Sequence, residues 1–232
     1  MTAAAGSASR RGGTGRPARP MVAVDTVLFA LEQGRLRTWL VELSAGRMRG
    51  KWAFPGGLVR VGETLDGAAR RELYEASGLG NPYLEQLYTF GDPARDPRAH
   101  VVSAAYMALI ADPALVRRPP GKYGAGRWYA VEKLPPLAYD HAEMAKYALQ
   151  RLRSKLAYTN LAHAMLPREF TFAQLQALYA AVIGRPIDRR NFRRRILAMG
   201  MLRRLPHSRR GAHRPAALYS FAAQRLEFIG ML

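Results

Sequence analysis

The spacing of apolar residues changes several times along this chain, and each change predicts an element. Val22 to Leu31 and Leu36 to Leu43 are short apolar-rich runs joined around Gln33-Gly34, the pattern of a β-hairpin. Between Thr64 and Gly78 the period becomes helical. Leu65, Ala68, Ala69, Leu73 and Ala76 form one stripe, Thr64 can cap its start, and Gly78 stands where a left-handed residue would end it. Tyr83 to Phe90, His100 to Ile110 and Arg127-Trp128-Tyr129 read as further strands before Pro135-Pro136 closes the segment. Asp140 with Glu143 reads as an N-terminal capping arrangement for a helix towards Lys155. That helix is expected to join two domains.

Beyond it, Thr171 opens a stretch in which Phe172, Leu175, Leu178, Tyr179 and Val182 recur at helical intervals. Gly184-Arg185-Pro186 makes a turn, and Asp188 can cap a second helix, RRNFRRRILAMG. In it Phe192, Ile196 and Met199 share a face, while Arg190 and Arg194 point away, flanked by Asn191 and Arg193. Met201 to Leu205 and Ala217 to Phe221 then suggest a hairpin with the basic tip HSRRGAHRP. Helix, turn, arginine-studded helix and wing predict a winged helix-turn-helix.

Charge sharpens the division. The chain has 232 residues and a formal net charge of +19. Residues 1–20 carry +4, residues 21–150 only +2, and residues 151–232 carry +13. A near-neutral domain is followed by a strongly basic module, which points to a polyanionic partner. Arg189, Arg190, Asn191, Arg193 and Arg194 are the residues expected to read bases or clamp phosphates. Arg209, Arg210 and Arg214 on the wing would hold the backbone. Double-stranded DNA suits a reading helix better than RNA, since the segment offers no aromatic stacking sheet. The alternative is a solvated basic face without a target. The first 20 residues are too poor in apolar groups to fold. Arg10-Arg11 is not followed by the apolar run of an export signal, because Asp25 interrupts the one that comes later. No apolar run has transmembrane length, and no membrane partner is expected. The absence of cysteine excludes disulfides and thiolate metal sites and fits a reducing cytoplasm.

The candidate chemistry lies in GGLVRVGETLDGAARRELYEASGL, Gly56 to Leu79. Gly56 and Gly57 let the backbone approach a ligand closely, and Glu72 and Glu75, three apart, project from one helix edge. Paired carboxylates can hold a divalent cation against a pyrophosphate lying on the glycine turn. Lys51, Trp52 and Phe54 lead into that turn. The two aromatics can stack on an adenine or line a ribose pocket; equally they can be core. In the loop GDPARDPRAH, Asp92, Arg95, Asp96 and Arg98 can meet phosphates or hydroxyls, or merely pair with one another. His141 between two acids lacks a convincing metal-ligand set, and the cap is the preferred reading.

The Gly56–Leu79 stretch resembles the Nudix box, with Gly57, Glu63, Arg71, Glu72, Leu73, Glu75, Gly78 and Leu79 in register. Ala76 stands where that family has a principal metal-binding glutamate. The resemblance implies a Nudix-type α/β/α sandwich with a mixed sheet, here over residues 21–157 including the linker helix. A smaller winged helix domain follows over 158–232, behind the basic tail of 1–20. It also implies that Mg2+ binding through Glu72 and Glu75 is weakened, so that no cofactor is required and no catalytic residue is assigned. KWAFPGGLV, FGDPARDPR, AYDHAEM, RLRSKLAYTNLA, LPREFTFAQLQALY and DRRNFRRRIL extend the likeness over residues 21–221. Across that span the chain resembles the Nudix-related transcriptional regulators of NAD metabolism. That likeness implies a homodimeric repressor binding an operator and sensing ADP-ribose or a related nucleotide. Lys51, Trp52, Phe54, Gly56, Gly57, Glu72, Glu75 and Arg98 would border the ligand. The rival expectation is an active hydrolase, such as an ADP-ribose pyrophosphatase, with a nucleic-acid-binding tail. A nucleotide-binding scaffold for RNA is a third.

Overall fold

The first half of the chain is built on β1 (Met21–Glu32), whose residues from Ala23 to Ala30 are all buried. A computed structural model describes residues 19–117, 121–209 and 215–229. In it β1 runs parallel to β6 (Val101–Leu109) and antiparallel to β2 (Arg35–Leu43) and to the short β4 (Gly56–Leu58). Beyond β2 lie β3 (Trp52–Ala53) and β7 (Tyr123–Ala130), and β5 (Tyr83–Phe90) flanks β6. The sheet is therefore mixed. Gln33 and Gly34 make the expected hairpin turn with φ of 49° and 74°.

Two helices cover the two faces of this sheet. On one, α1 (Leu65–Ser77) buries Ala68, Ala69, Leu73 and Ala76 against Val24, Leu28 and Tyr106. Thr64 accepts the Gly67 N–H at 3.0 Å, and Gly78 ends the helix at φ 72°. On the other, α2 (His141–Tyr158) buries Met144, Ala148 and Leu152 in a cluster with Val27, Phe29 and Leu40. This is the α/β/α sandwich that the sequence leads one to expect.

The expected cap on α2 is not made. Asp140 occupies the N-cap position, but its side chain forms no capping bond, because both carboxylate oxygens are taken by Arg95. A two-point ion pair with a buried guanidinium outcompetes a single bond to a backbone N–H.

After α2 come β8 (Phe170–Thr171), α3 (Phe172–Ile183), α4 (Arg189–Ala198), β9 (Leu202–Arg209) and β10 (Ala216–Phe221), the strands ordered β8-β10-β9. Thr171 and Gln174 form a reciprocal capping box, and Phe172, Leu175, Leu178, Tyr179 and Val182 are all buried. Gly184 turns the chain at φ 81°, and Asp188 caps α4 by accepting the Asn191 N–H at 2.8 Å. Phe192 and Ile196 are buried as their spacing predicts, but Met199 is exposed: it follows the last helical turn and leaves the packed face.

The two halves share one core. Met144, Leu152 and Leu156 of α2 cluster with Leu175 and Leu178 of α3. Tyr179 Oη donates to the Leu156 carbonyl at 3.2 Å, and Arg153 Nε donates to the Val182 carbonyl at 2.8 Å. Among the described residues no helix is long and apolar enough to cross a membrane.

Candidate functional site

A cavity of about 540 Å³ opens where the glycine turn, the loop after β5 and the first residue of α2 meet. Its floor is Gly56-Gly57, and both glycines are required by space. A Cβ on Gly56 would overlap the Asp25 carboxylate and the Val24 carbonyl; one on Gly57 would overlap the Glu72 carboxylate. The backbone there lies as close to its neighbours as a chain can, leaving its open side to a ligand.

Buried charge lines the inner wall. Asp25 projects from the apolar run of β1, accepts from Ser103 Oγ at 2.6 Å, and lies 3.4 Å from both Arg95 Nη2 and His141 Nε2. Burial would raise its pKa, but His141, Ser103 and Arg95 together hold it below the usual carboxylate range. His141 is itself buried, and its Nδ1 accepts the Phe54 N–H at 2.9 Å. With Nδ1 accepting, the ring N–H lies on Nε2, which faces Asp25 without a well-formed hydrogen bond. Tyr139 beside it adopts φ 53°, a left-handed conformation uncommon for a tyrosine, and its ring lies under the Arg98 guanidinium at 5.8 Å. Arg98 also grips Asp96, with Nη2 to Oδ2 at 2.6 Å.

The signature acids lie on the other side of the glycine turn. Glu72 is 2% exposed. Its Oε1 accepts from Arg71 Nη1 at 2.6 Å, and its Oε2 is held by Lys122 Nζ and lies 3.0 Å from Tyr123 Oη. Tyr123 also accepts the Gly56 N–H at 3.0 Å, and burial, with Glu72 beside it, pushes its phenol pKa up. Glu75 is half-buried and lies 3.6 to 3.8 Å from Arg60, Arg71 and Lys122. Glu63 accepts from Arg71 Nε at 2.7 Å and from the Arg60 N–H, which lower its pKa to about 2.

This donor set does not fit a divalent metal. Such an ion needs several oxygens converging at about 2.0–2.6 Å, whereas both oxygens of Glu72 already face cations or a phenol. Ala76, one turn on, is fully buried among Leu73, Leu79 and Trp39 and offers only a methyl group. Among the described residues no group of three or more His, Asp or Glu side chains converges to hold a metal ion.

The residues expected to border a ligand divide accordingly. Phe54, Gly56, Gly57 and Arg98 line the cavity, and Glu72 reaches its edge through Lys122 and Tyr123. Phe54 is no open stacking platform, since its ring is buried and stacked on His141 with centroids 5.5 Å apart. Lys51 lines a second, more open hollow on the far side of the loop carrying Arg95. Trp52 lies outside the first cavity, edge-on against Tyr129 at 5.0 Å, because its backbone pairs with Leu137-Ala138 and turns the ring into the core. Sequence reasoning did not single out Lys122, Tyr123 or Asp25 for the site. Only Asp25 left a signal, a carboxylate inside a strand-like apolar run.

On α4, Arg189, Arg190, Asn191 and Arg194 are exposed, and Arg194 Nη2 donates to Asn191 Oδ1 at 3.3 Å. Arg193 is exposed as well, but its guanidinium is already engaged within the domain. Its guanidinium lies 4.8 Å over the Phe172 ring and donates to Tyr219 Oη at 2.8 Å, so it braces α4 against α3 and β10. Arg209 sits at the end of β9, donating to Gln174 Oε1 at 3.2 Å. Arg210 and Arg214 lie outside the described residues, as does the tail through residue 18.

Comparison with known proteins agrees with both halves. The NUDIX domain family matches residues 19–151, and the NrtR DNA-binding winged helix domain matches residues 162–221. The ADPR responsive transcriptional repressor NtrR of Acinetobacter baylyi is 34% identical over 213 residues, 90% of this chain and 85% of that protein. Shewanella oneidensis NrtR, solved with a 27mer DNA, superposes with a TM-score of 0.76 at 31% identity, covering 86% of this chain and 93% of that one. The NUDIX domain of the same protein, solved with ADP ribose, gives a TM-score of 0.55 at 30% identity over 58% of this chain and 90% of that one. With a Nudix domain and an NrtR winged helix in one chain, and a relative that parallels nearly its whole length, this protein belongs to the NrtR family.

Proposed function

We propose that the chain is a cytoplasmic, homodimeric transcriptional repressor that binds operator DNA through its winged helix. In the cavity of its Nudix domain it senses ADP-ribose or a closely related nucleotide, and the genes it controls are those of NAD synthesis or salvage. One observation carries this reading. Helix α2 begins in the cavity wall at His141, and its far end packs into α3 of the winged helix. A ligand that prefers one placement of α2 shifts the DNA-binding form; one that binds both forms equally shifts nothing.

The ligand's diphosphate lies along Gly56-Gly57, with Arg98 at the mouth and the Glu72–Lys122 pair at the edge. On DNA, Arg190, Asn191 and Arg194 face the major groove, with Arg189 and the wing arginines Arg209, Arg210 and Arg214 on phosphates. The repressor of A. baylyi named for its response to ADPR, and the S. oneidensis structures with DNA and with ADP ribose, support this assignment.

Fluorescence anisotropy tests it, using a duplex from upstream of the chain's own gene and neighbouring NAD genes and a scrambled duplex at near-physiological salt. So basic a protein will bind any DNA to some extent. Preference for the native duplex, altered by ADP-ribose, is the expected result. Equal binding to both, indifferent to ligand, overturns it. Steady magnesium-dependent release of AMP from ADP-ribose, abolished by Glu72→Gln, would make the protein a hydrolase instead.

A further inference from the structure

From the placement of one side chain we infer that Lys122 is a built-in cation that takes the place of the metal between the two signature carboxylates, so that the diphosphate is bound without a divalent ion. Lys122 precedes β7, 50 residues from Glu72. Its ammonium nevertheless sits between the acids, held by Glu72 Oε2 and 3.8 Å from Glu75 Oε2. It also donates to the Gly56 carbonyl at 3.3 Å and lies 4.9 Å from the centroid of the Tyr123 ring. The side chain is 42% exposed and lines the cavity, so the ammonium is held in place on a side chain that borders the ligand space.

Charge balance leads to the same conclusion. Glu63, Glu72 and Glu75 face Arg60, Arg71 and Lys122, each acid within 4 Å of at least one of these cations. Three carboxylates meet three cations, and no excess of negative charge remains to recruit Mg2+. The position nearest the glycine turn, where a diphosphate oxygen would approach, is filled by an ammonium with one N–H beyond those given to Glu72 and Gly56. The loss of a carboxylate at Ala76 and the presence of Lys122 thus compensate one another: one negative charge fewer, and one fixed positive charge in the metal's stead.

This inference rests on the sensor reading for its ligand but not for its test. ADP-ribose binding to the full chain would be measured by calorimetry in EDTA and in millimolar Mg2+, for the natural protein and for Lys122→Met. The natural protein is expected to bind equally in both buffers. Lys122→Met should bind about tenfold more weakly in EDTA, the loss of one charge-assisted contact, with Mg2+ restoring much of the difference. Metal-dependent binding by the natural protein, or unchanged EDTA affinity in the variant, overturns the inference. Mn2+ titration followed by electron paramagnetic resonance decides it even if ADP-ribose is not the ligand. The natural protein should leave Mn2+ free and Lys122→Met should take up one ion; uptake by the natural protein, or none by a folded variant, overturns it. Absence of ADP-ribose binding with this Mn2+ pattern intact would sink the choice of ligand and leave Lys122 in its role.

Discussion

Arg95 holds Asp140 through two parallel hydrogen bonds, Nε to Oδ2 at 2.8 Å and Nη2 to Oδ1 at 2.7 Å, and the same Nη2 lies 3.4 Å from Asp25. One guanidinium therefore ties the loop after β5 both to the central strand and to the residue that opens α2. Desolvation works against its charge, but the two carboxylates prevail and keep its pKa raised. Arg95→Leu would leave two shielded carboxylates without their partner, and breaking a buried pair in this way costs about 3–5 kcal/mol. Urea unfolding should register that loss. A change below about 1 kcal/mol would reduce the pair to a surface contact.

Trp52 and Gly57 should separate stability from binding. Trp52→Ala removes a ring packed on Tyr129 and should cost about 2–3 kcal/mol, less than a fully buried tryptophan, while folded protein keeps its ADP-ribose affinity. Gly57→Ala should instead weaken binding. Its Cβ would overlap the Glu72 carboxylate and crowd Lys122 Nζ, displacing the floor of the cavity. Calorimetry on both variants would show an unaffected Gly57→Ala affinity if the ligand lies elsewhere.

Neighbouring arginines on α4 should behave differently. Arg193→Ala loses its place over Phe172 and its bond to Tyr219, and should lower stability by about 1–2 kcal/mol. Arg194→Ala should leave the melting temperature unchanged and weaken specific DNA binding by about 1–3 kcal/mol if it reads a base. Equal losses on native and scrambled duplexes, with a salt dependence shallower by about one unit of log–log slope, would make it a phosphate contact.

Acid should release Glu63 late. Its pKa in the fold is about 2, against an ordinary 4.5, through hydrogen bonds from Arg71 and from the Arg60 N–H. A lowered carboxylate pKa stabilises the fold in full above pH 4.5, and that contribution fades as pH falls from 4.5 through 2. Carboxyl NMR should place the Glu63 midpoint near 2 and return it towards 4.5 in Arg71→Ala. A midpoint already near 4.5 in the natural protein would mean that the Arg71 contact does not persist in solution.

Local chemistry determined the elements. The apolar runs of β1 and β2, the stripe Leu65–Ala76 with its Thr64 and Gly78 caps, the start of α3 at Thr171 and the Asp188 cap of α4 are all short-range consequences of side-chain type, and they formed as read. The signature spacing likewise marked Gly57, Glu72 and Glu75, since neighbours on one helix and one turn cannot separate on folding. What surrounds those residues was decided by the tertiary structure alone. Lys122 reaches Glu72 across 50 residues, Arg95 reaches Asp140 across 45, and His141 reaches Phe54 across 87. No periodicity encodes such meetings. They arise because β7, the loop after β5 and the start of α2 converge on one edge of a mixed sheet, where each buried charge must find a partner. The same requirement drew Asp140 away from its expected cap, while Arg193, though exposed, is held by Phe172 and Tyr219. The sequence by itself named the helices; which of their polar side chains remain free for a ligand or for DNA was set by the partners that the fold supplied.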